Sequence, residues 1–148
     1  MATVKQLMSA KGEGTNYTVD HNDTVLKALE LMAEANIGAV MVTEGNKVIG
    51  IFTERDYSRK CELKGLSAKG TLVRDLMTEE MVTITPEMSM DQCMGLMKRY
   101  RIRHLPVIEN DTMVGMVSMR DVVDTILSDR ESTIKGLENY ILGSGFAT

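Results

Sequence analysis

The chain has 148 residues, 43% of them hydrophobic and 26% charged, with a formal net charge of -4. A chain this long buries roughly 70% of the surface its unfolded form exposes, so it needs neither disulfides nor a structural metal to fold, and Cys61 and Cys93 require no special role. An excess of acidic over basic residues, 21 against 17, argues against nonspecific nucleic-acid binding, and two unclustered histidines argue against metal or nucleophile–base catalysis. No apolar leader and no apolar run near the roughly 20 residues of a membrane span is present, which makes a reducing cytoplasm the expected setting.

In chain order, the sequence opens with the segment Val4-Lys5-Gln6-Leu7-Met8, a loop over 11–16 holding two glycines, and a short strand at 17–19. Val25, Leu29 and Met32 recur at helical spacing and predict an amphipathic helix over 25–35. Two apolar strands follow, 39–43 and 48–52, joined by the tight turn Glu44-Gly45-Asn46, and a closing helix over 56–63 begins after Thr53. The order then repeats. A strand at 81–84 precedes a helix over 90–100, which opens on the capping-box pair Ser89 and Gln92 and carries Met90, Cys93, Met94 and Met97. Strands 105–108 and 113–117 flank Glu109-Asn110-Asp111, and a closing helix over 120–127 follows Ser118. A separate last helix is predicted over 132–142, stopped by Gly143.

The repetition is gapless from Thr18–Asp56 to Thr83–Asp121 at a constant offset of 65. Leu31 with Leu96, Ile37 with Ile102, Gly50 with Gly115 and Arg55 with Arg120 are among the identical pairs. A second echo pairs the leading segment with Val73-Arg74-Asp75-Leu76-Met77 at offset 69, and the four extra residues fit the 11–16 loop. The reading is an α+β (mixed α/β) chain of two β-α-β-β-α units: 1–71, including the N-terminal segment, and 72–130, followed by a helix and tail at 131–148. A unit of roughly 60 residues has little core of its own, so the two should pack together and create two related clefts.

Gly50-Ile51-Phe52-Thr53-Glu54-Arg55-Asp56 recurs as Gly115-Met116-Val117-Ser118-Met119-Arg120-Asp121. In each copy a hydroxyl stands at a helix start, where free amides and the helix dipole favour an anion such as phosphate. One turn later Asp56 or Asp121 can accept from two vicinal hydroxyls, as a ribose presents them, with Arg55 or Arg120 near the phosphate. Hydroxyl-x-x-Asp is also a plain helix-start signal in which side chains satisfy orphan amides. Its recurrence with glycine and arginine while the flanking residues diverge favours the binding reading.

The chain resembles the CBS-domain family, as a tandem pair forming one Bateman module. Beside the two motifs, the resemblance rests on Ile37-Gly38-Ala39-Val40-Met41-Val42, on Ile102-Arg103-His104-Leu105-Pro106-Val107, and on Val73-Arg74-Asp75-Leu76-Met77-Thr78. It implies two units packed sheet to sheet with pseudo-two-fold symmetry and an adenosine nucleotide in the clefts: AMP, ADP or ATP first, with NAD or S-adenosylmethionine as further candidates. It also implies that Thr53 with Asp56, and Ser118 with Asp121, hold phosphate and ribose. Adenine would lie near Thr18, Ile37, Gly38 and Ala39 in one copy and near Thr83, Ile102 and Pro106 in the other. Arg103 and His104 stand where the first copy has Gly38 and Ala39, so the two sites are expected to differ, with the second preferring the more charged nucleotide.

Lys98, Arg99 and Arg101 read as a solvated helix end, Arg103 as a phosphate contact, and most of the thirteen methionines as core filling. Gly12-Glu13-Gly14 and Gly143-Ser144-Gly145 read as loops rather than phosphate loops. The leading functional expectation is a nucleotide sensor without catalysis, a homodimer acting on a regulated protein partner. The alternatives are a structural dimerisation module with vestigial sites and, less favoured, a nucleotide-processing enzyme with Asp56 or Asp121 as base.

Overall fold

The computed structural model describes residues 2–12 and 17–141. Residues 13–16 of the predicted 11–16 loop, the end of the last predicted helix at 142 and the glycines beyond it lie outside the described residues, and Lys11 of that loop is the last residue of a helix. Helix α1 (Val4–Lys11) leads into the first half: β1 (Thr18–Asp20), α2 (Val25–Ala35), β2 (Ala39–Glu44), β3 (Lys47–Thr53) and α3 (Glu54–Asp56). The second half holds α4 (Val73–Leu76), α5 (Met90–Tyr100), β4 (His104–Glu109), β5 (Thr112–Ser118) and α6 (Met119–Ile141). No helix among the described residues is long and apolar enough to cross a membrane.

Helices α2 and α5 begin at Thr24 and Ser89, whose hydroxyls accept the amides of Lys27 and Gln92. Both end on a residue in the left-handed region, Asn36 and Arg101, each at φ 55. The hairpins match as well. Ala39 stands opposite Thr53 and His104 opposite Ser118, so the residue that opens one strand lies beside the hydroxyl that closes the next.

The two sheets differ at their first strand. In the first half β1 runs parallel to β2, with Met41 N–H donating to Tyr17 O and His21 N–H to Thr43 O. The equivalent positions in the second half are Pro106 and Pro86, which have no amide to give. The predicted strand at 81–84 therefore contracts to a single parallel bridge between Ile84 and Val107. This proline pair accounts for the difference between a three-stranded and a two-stranded sheet.

Each half has its own core, and the leading segments are exchanged between them. Val4, fully buried, joins Ile84, Met90, Met97, Leu105 and Val117 of the second half. Val73, equally buried, joins Val25, Met32, Val40, Val42 and Phe52 of the first. The backbone bonds correspond one for one: Val4 N–H to Met88 O and Lys5 N–H to Pro86 O, against Val73 N–H to Asp23 O and Arg74 N–H to His21 O. A division at 71/72 follows the repeat, but the packing crosses it, because residues 2–11 complete the second core and 71–77 the first. Between the sheets, Ala39, Met41 and Ile51 are buried against Met81, Met113 and Met116, a methionine-rich seam that suits an irregular interface.

Two helices depart from expectation. The closing helix of the first half is one α turn followed by a π-helix, Tyr57–Glu62, in which Leu63 N–H reaches back five residues to Ser58 O. The predicted helices at 120–127 and 132–142 are one continuous helix, α6, because Ser128-Asp129-Arg130-Glu131 contains no glycine or proline to stop it. Gly50 has a plain steric reason: a Cβ there would lie 2.7 Å from Met77 Sδ and 3.0 Å from Thr78 O. The connector needs that room to pair with β3, where Thr78 and Ile51 exchange both backbone bonds at 2.8 and 2.9 Å.

The exchanged packing predicts where damage appears. Val4→Ala and Val73→Ala should each cost about 2 kcal/mol, by lost burial plus a cavity. Hydrogen exchange should rise in α5, β4 and β5 for Val4→Ala, and in α2, β2 and β3 for Val73→Ala. A Val4→Ala variant whose increase falls in β2 and β3 contradicts the exchange.

Candidate functional site

The two motif copies end their hairpin strands at the same end of the molecule. A Cβ on Gly38 would lie 3.1 Å from Glu54 Oε1 and 3.4 Å from His104 Cε1, so the start of β2, the start of α3 and the start of β4 converge. Arg55, expected near phosphate, donates from Nη1 to Arg101 O at 2.9 Å, where it satisfies a carbonyl at the end of α5 and ties the halves together. Arg120 is largely exposed, with Asp124 4.0 Å away.

At each helix start the hydroxyl and the carboxylate hold one another's amides. Thr53 Oγ1 accepts Asp56 N–H at 3.1 Å while Asp56 Oδ2 accepts Thr53 N–H at 3.0 Å. Ser118 Oγ accepts Asp121 N–H at 3.1 Å while Asp121 Oδ2 accepts Ser118 N–H at 2.9 Å. The first helical amides, of Glu54 and Met119, go to Gly38 O and Arg103 O. The expectation of a row of free amides awaiting phosphate is therefore corrected: among the described residues only the middle amide of each start, of Arg55 and of Arg120, lacks an acceptor. The motif performs the capping that its spacing also allowed.

Beyond the shared box the copies diverge. Asp56 is buried, at 8% exposure; its Oδ1 takes the Thr78 hydroxyl at 3.0 Å and pairs with the Lys60 ammonium, 3.0 Å away, as an ion pair. Lys60 also donates to Leu76 O, so Asp56, the π-helix and the connector form one junction. Asp121 keeps a more open side chain, and its partner is Lys11 at the end of α1, with Nζ 3.0 Å from Oδ2 and 2.9 Å from Met116 O. Burial pushes the Asp121 carboxyl up, but the Ser118 amide and the Lys11 ammonium together hold it below the ordinary carboxylate value. Burial holds the His104 imidazole below its ordinary value; Asp121 opposes this, and Arg103 and Lys11 reinforce it. His104, expected as a second charge that can be protonated, therefore takes up its proton less readily than an ordinary imidazole.

The remaining expected residues are more dispersed. Ile37 and Ile102 are half-buried against the first and second cores. Thr18 is exposed opposite Met41, Thr83 is exposed, and Arg103 is exposed at the start of β4. Ala39 lies in the buried seam. Pro106 faces a cleft of about 460 Å³ at the hairpin-turn end, with Met41, Met81, Met113, Glu44 and Lys47. Three partners of the motif carboxylates were not legible in the sequence: Lys60, which stands one turn after Asp56, and Thr78, visible only as part of a family string, both of which tie Asp56 into the fold; and Lys11, which is 110 positions from Asp121. Among the described residues no three His, Cys, Asp or Glu side chains gather as a metal site.

The His104 environment sets a pH dependence. A folded value below the unfolded one, about 6.5, means that the unfolded chain takes up the proton more readily. The corresponding stability is complete above pH 6.5 and is lost as pH falls through the window below it. The thermal midpoint should therefore drop between pH 7.5 and 5.5, and drop less in His104→Gln. Equal drops in the two proteins contradict the assignment to His104.

Comparison with known proteins follows the same two-part division. The family model described as the CBS domain matches residues 4–62 and 73–128. The CBS domain-containing protein CBSX3, mitochondrial, of Arabidopsis thaliana is 40% identical over 149 residues, covering 95% of this chain and 72% of that protein. A solved structure of a CBS-domain protein from Burkholderia ambifaria MC40-6 superposes with a TM-score of 0.83 at 42% identity, covering 86% of this chain and 96% of that one. The CBS domain protein PAE2072 from Pyrobaculum aerophilum, solved in complex with AMP, shares the fold with a TM-score of 0.70 at 18% identity, covering 81% and 89%. With both halves matched and their strands, helices and exchanged leading segments in place, the chain belongs to the CBS-domain family and carries two CBS domains.

Proposed function

We propose that the chain is a regulatory module that binds an adenine nucleotide of the AMP, ADP or ATP class and passes its occupancy to a protein partner, without chemistry of its own. The observation that carries this reading is the Ser118–Asp121 helix start. It combines a partly open carboxylate, suited to the hydroxyls of a ribose, with a middle amide and the cations Lys11, Arg103 and Arg120 in its surroundings, suited to phosphate. The AMP carried by the Pyrobaculum protein on the same fold supports the ligand class. NAD and S-adenosylmethionine offer the same adenosine group and remain within the reading. Both aspartates are engaged as acceptors for helix-start amides and lysines, which favours binding over proton transfer as their task.

Calorimetry with AMP, ADP, ATP, NAD and S-adenosylmethionine, and with uridine nucleotides as controls, tests this. At least one adenosine compound should bind and the uridine compounds should not. No binding by any adenosine compound at millimolar concentration contradicts it.

The partner face is proposed on α6. Leu127, Ile134 and Ile141 are exposed at a seven-residue spacing with Leu137 between the last two, the pattern of a helix seam that packs on another helix. A second copy of the chain, related by a two-fold axis, fits such a self-complementary stripe. Light scattering should give twice the 16.4 kDa chain mass. Ile134→Glu with Leu137→Glu should halve that value, and a wild-type mass of one chain at micromolar concentration contradicts the pairing.

A further inference from the structure

The two helix starts share a sequence motif but differ in how much of each carboxylate is left for a ligand. An ionised carboxylate has about four acceptor positions, two on each oxygen. On Asp56 three are filled by hydrogen bonds and an ion covers the rest: Oδ2 takes the Thr53 amide at 3.0 Å and the Thr53 hydroxyl at 3.2 Å, Oδ1 takes the Thr78 hydroxyl, and the Lys60 ammonium forms an ion pair with Oδ1 at 3.0 Å. On Asp121 the Ser118 amide and Lys11 both engage Oδ2, the Ser118 hydroxyl also acts on the carboxylate, and no well-aligned hydrogen bond from a described residue ends on Oδ1. The side chains are correspondingly 10% and 22% exposed.

The cause of the difference is visible in the repeat. By the offset of 69, Thr78 corresponds to Ser9, and by the offset of 65, Lys60 corresponds to Thr125. After Leu76 the connector leaves its helix and pairs with β3, which brings the Thr78 hydroxyl onto Asp56. The N-terminal copy instead stays helical to Lys11, so the Ser9 hydroxyl remains within α1 and donates to Lys5 O. Thr125 has no amine to offer in place of Lys60. Both donors that close Oδ1 of Asp56 are thus missing at Asp121, and the longer α1 delivers Lys11 in their stead.

Lys11 has a capacity of its own. An ammonium carries three N–H donors, of which one goes to Met116 O and one to Asp121 Oδ2, leaving one without an acceptor among the described residues. It lies in the same charged surroundings as His104, which is affected by Asp121, Arg103 and Lys11 together.

Building on the nucleotide reading, we infer that the chain takes one nucleotide and not two, at the second helix start, with its ribose on Asp121 Oδ1 and its phosphate on Lys11, while Asp56 is a structural junction. A ribose at Asp56 would have to break bonds that hold the connector to the first half, whereas at Asp121 it meets an unfilled oxygen. Lys11 then sets specificity for charge: it holds Asp121 from one side and offers its third donor to a phosphate. Because Lys11 ends the helix whose Val4 completes the second core, the site is built from the N-terminal segment as well as from the second half.

Calorimetry on the full chain, using the adenosine compound that binds most tightly, tests this with three variants and with thermal midpoints measured in the absence of ligand. The wild-type chain should bind one nucleotide per chain. Asp121→Asn and Lys11→Met should each weaken binding by about tenfold or more, the size of one hydrogen bond to a charged group. Lys11→Met should also flatten the salt dependence of the affinity. Thr78→Val should lower the thermal midpoint and leave affinity and stoichiometry as they are. Two nucleotides per wild-type chain, or a Lys11→Met protein with wild-type affinity and salt dependence, overturns the inference while leaving the nucleotide reading in place. A wild-type chain that binds no adenosine compound overturns both, so the two failures are distinguishable. The wild-type stoichiometry decides the matter even where a variant folds poorly.

Discussion

The helix starts after β3 and β5 depend on a hydroxyl and a carboxylate three residues apart, each accepting the other's backbone amide. The arrangement removes two orphan amides at a point where a buried strand turns abruptly into a helix. It also fixes the carboxylate in place, because its Oδ2 is held by the amide of the preceding strand end. What happens at the other oxygen is then a matter of which donors the surrounding chain brings there. At Asp56 the connector and the π-helix bring two, and the carboxylate becomes part of the fold. At Asp121 nothing comparable arrives, and an anchored, partly exposed acceptor is left beside a lysine.

That asymmetry follows from the exchange of leading segments. Residues 2–11 and 71–77 make the same backbone bonds to opposite halves, so a gapless repeat in sequence becomes an interlocked pair in space. The exchange brings the N-terminal helix to the Ser118–Asp121 helix start through Lys11. A ligand that draws Lys11 away from Asp121 changes contacts at the end of α1, and the Ser118–Asp121 start is also the first turn of α6, whose outer half carries the exposed apolar stripe. The Ser118–Asp121 start and the exposed stripe thus lie on one continuous helix.

Much of this was legible in the sequence, because it rests on short-range signals. Ser89, Thr53 and Ser118 mark helix starts by local hydrogen bonds, the two hairpins follow from apolar runs around polar turns, and the constant offset fixes the equivalence of the halves. What was not legible depends on distance or on the absence of a donor. The strand at 81–84 fails because Pro86 and Pro106 withhold two amides, which matters only once the register is known. The helices over 120–127 and 132–142 are one because the polar residues at 128–131 between them include no glycine or proline. Lys11 carries no local mark at all; its place is set by the helix that ends on it and by the core of the second half, far along the chain, on which that helix packs. The motif itself was ambiguous between capping and binding, and the geometry shows capping in both copies with spare capacity in one.

A crystal structure of the chain grown with the tightest-binding adenosine nucleotide tests the central claim most directly, since the claim concerns which carboxylate oxygen has room for a ribose. The account predicts one nucleotide per chain, its ribose hydroxyls within hydrogen-bond distance of Asp121 Oδ1 and Lys11 Nζ on its phosphate, with the Asp56 bonds to Thr78 and Lys60 unchanged. A nucleotide whose ribose lies on Asp56, or one seated in the methionine-lined cleft at the hairpin turns with Asp121 unoccupied, contradicts it.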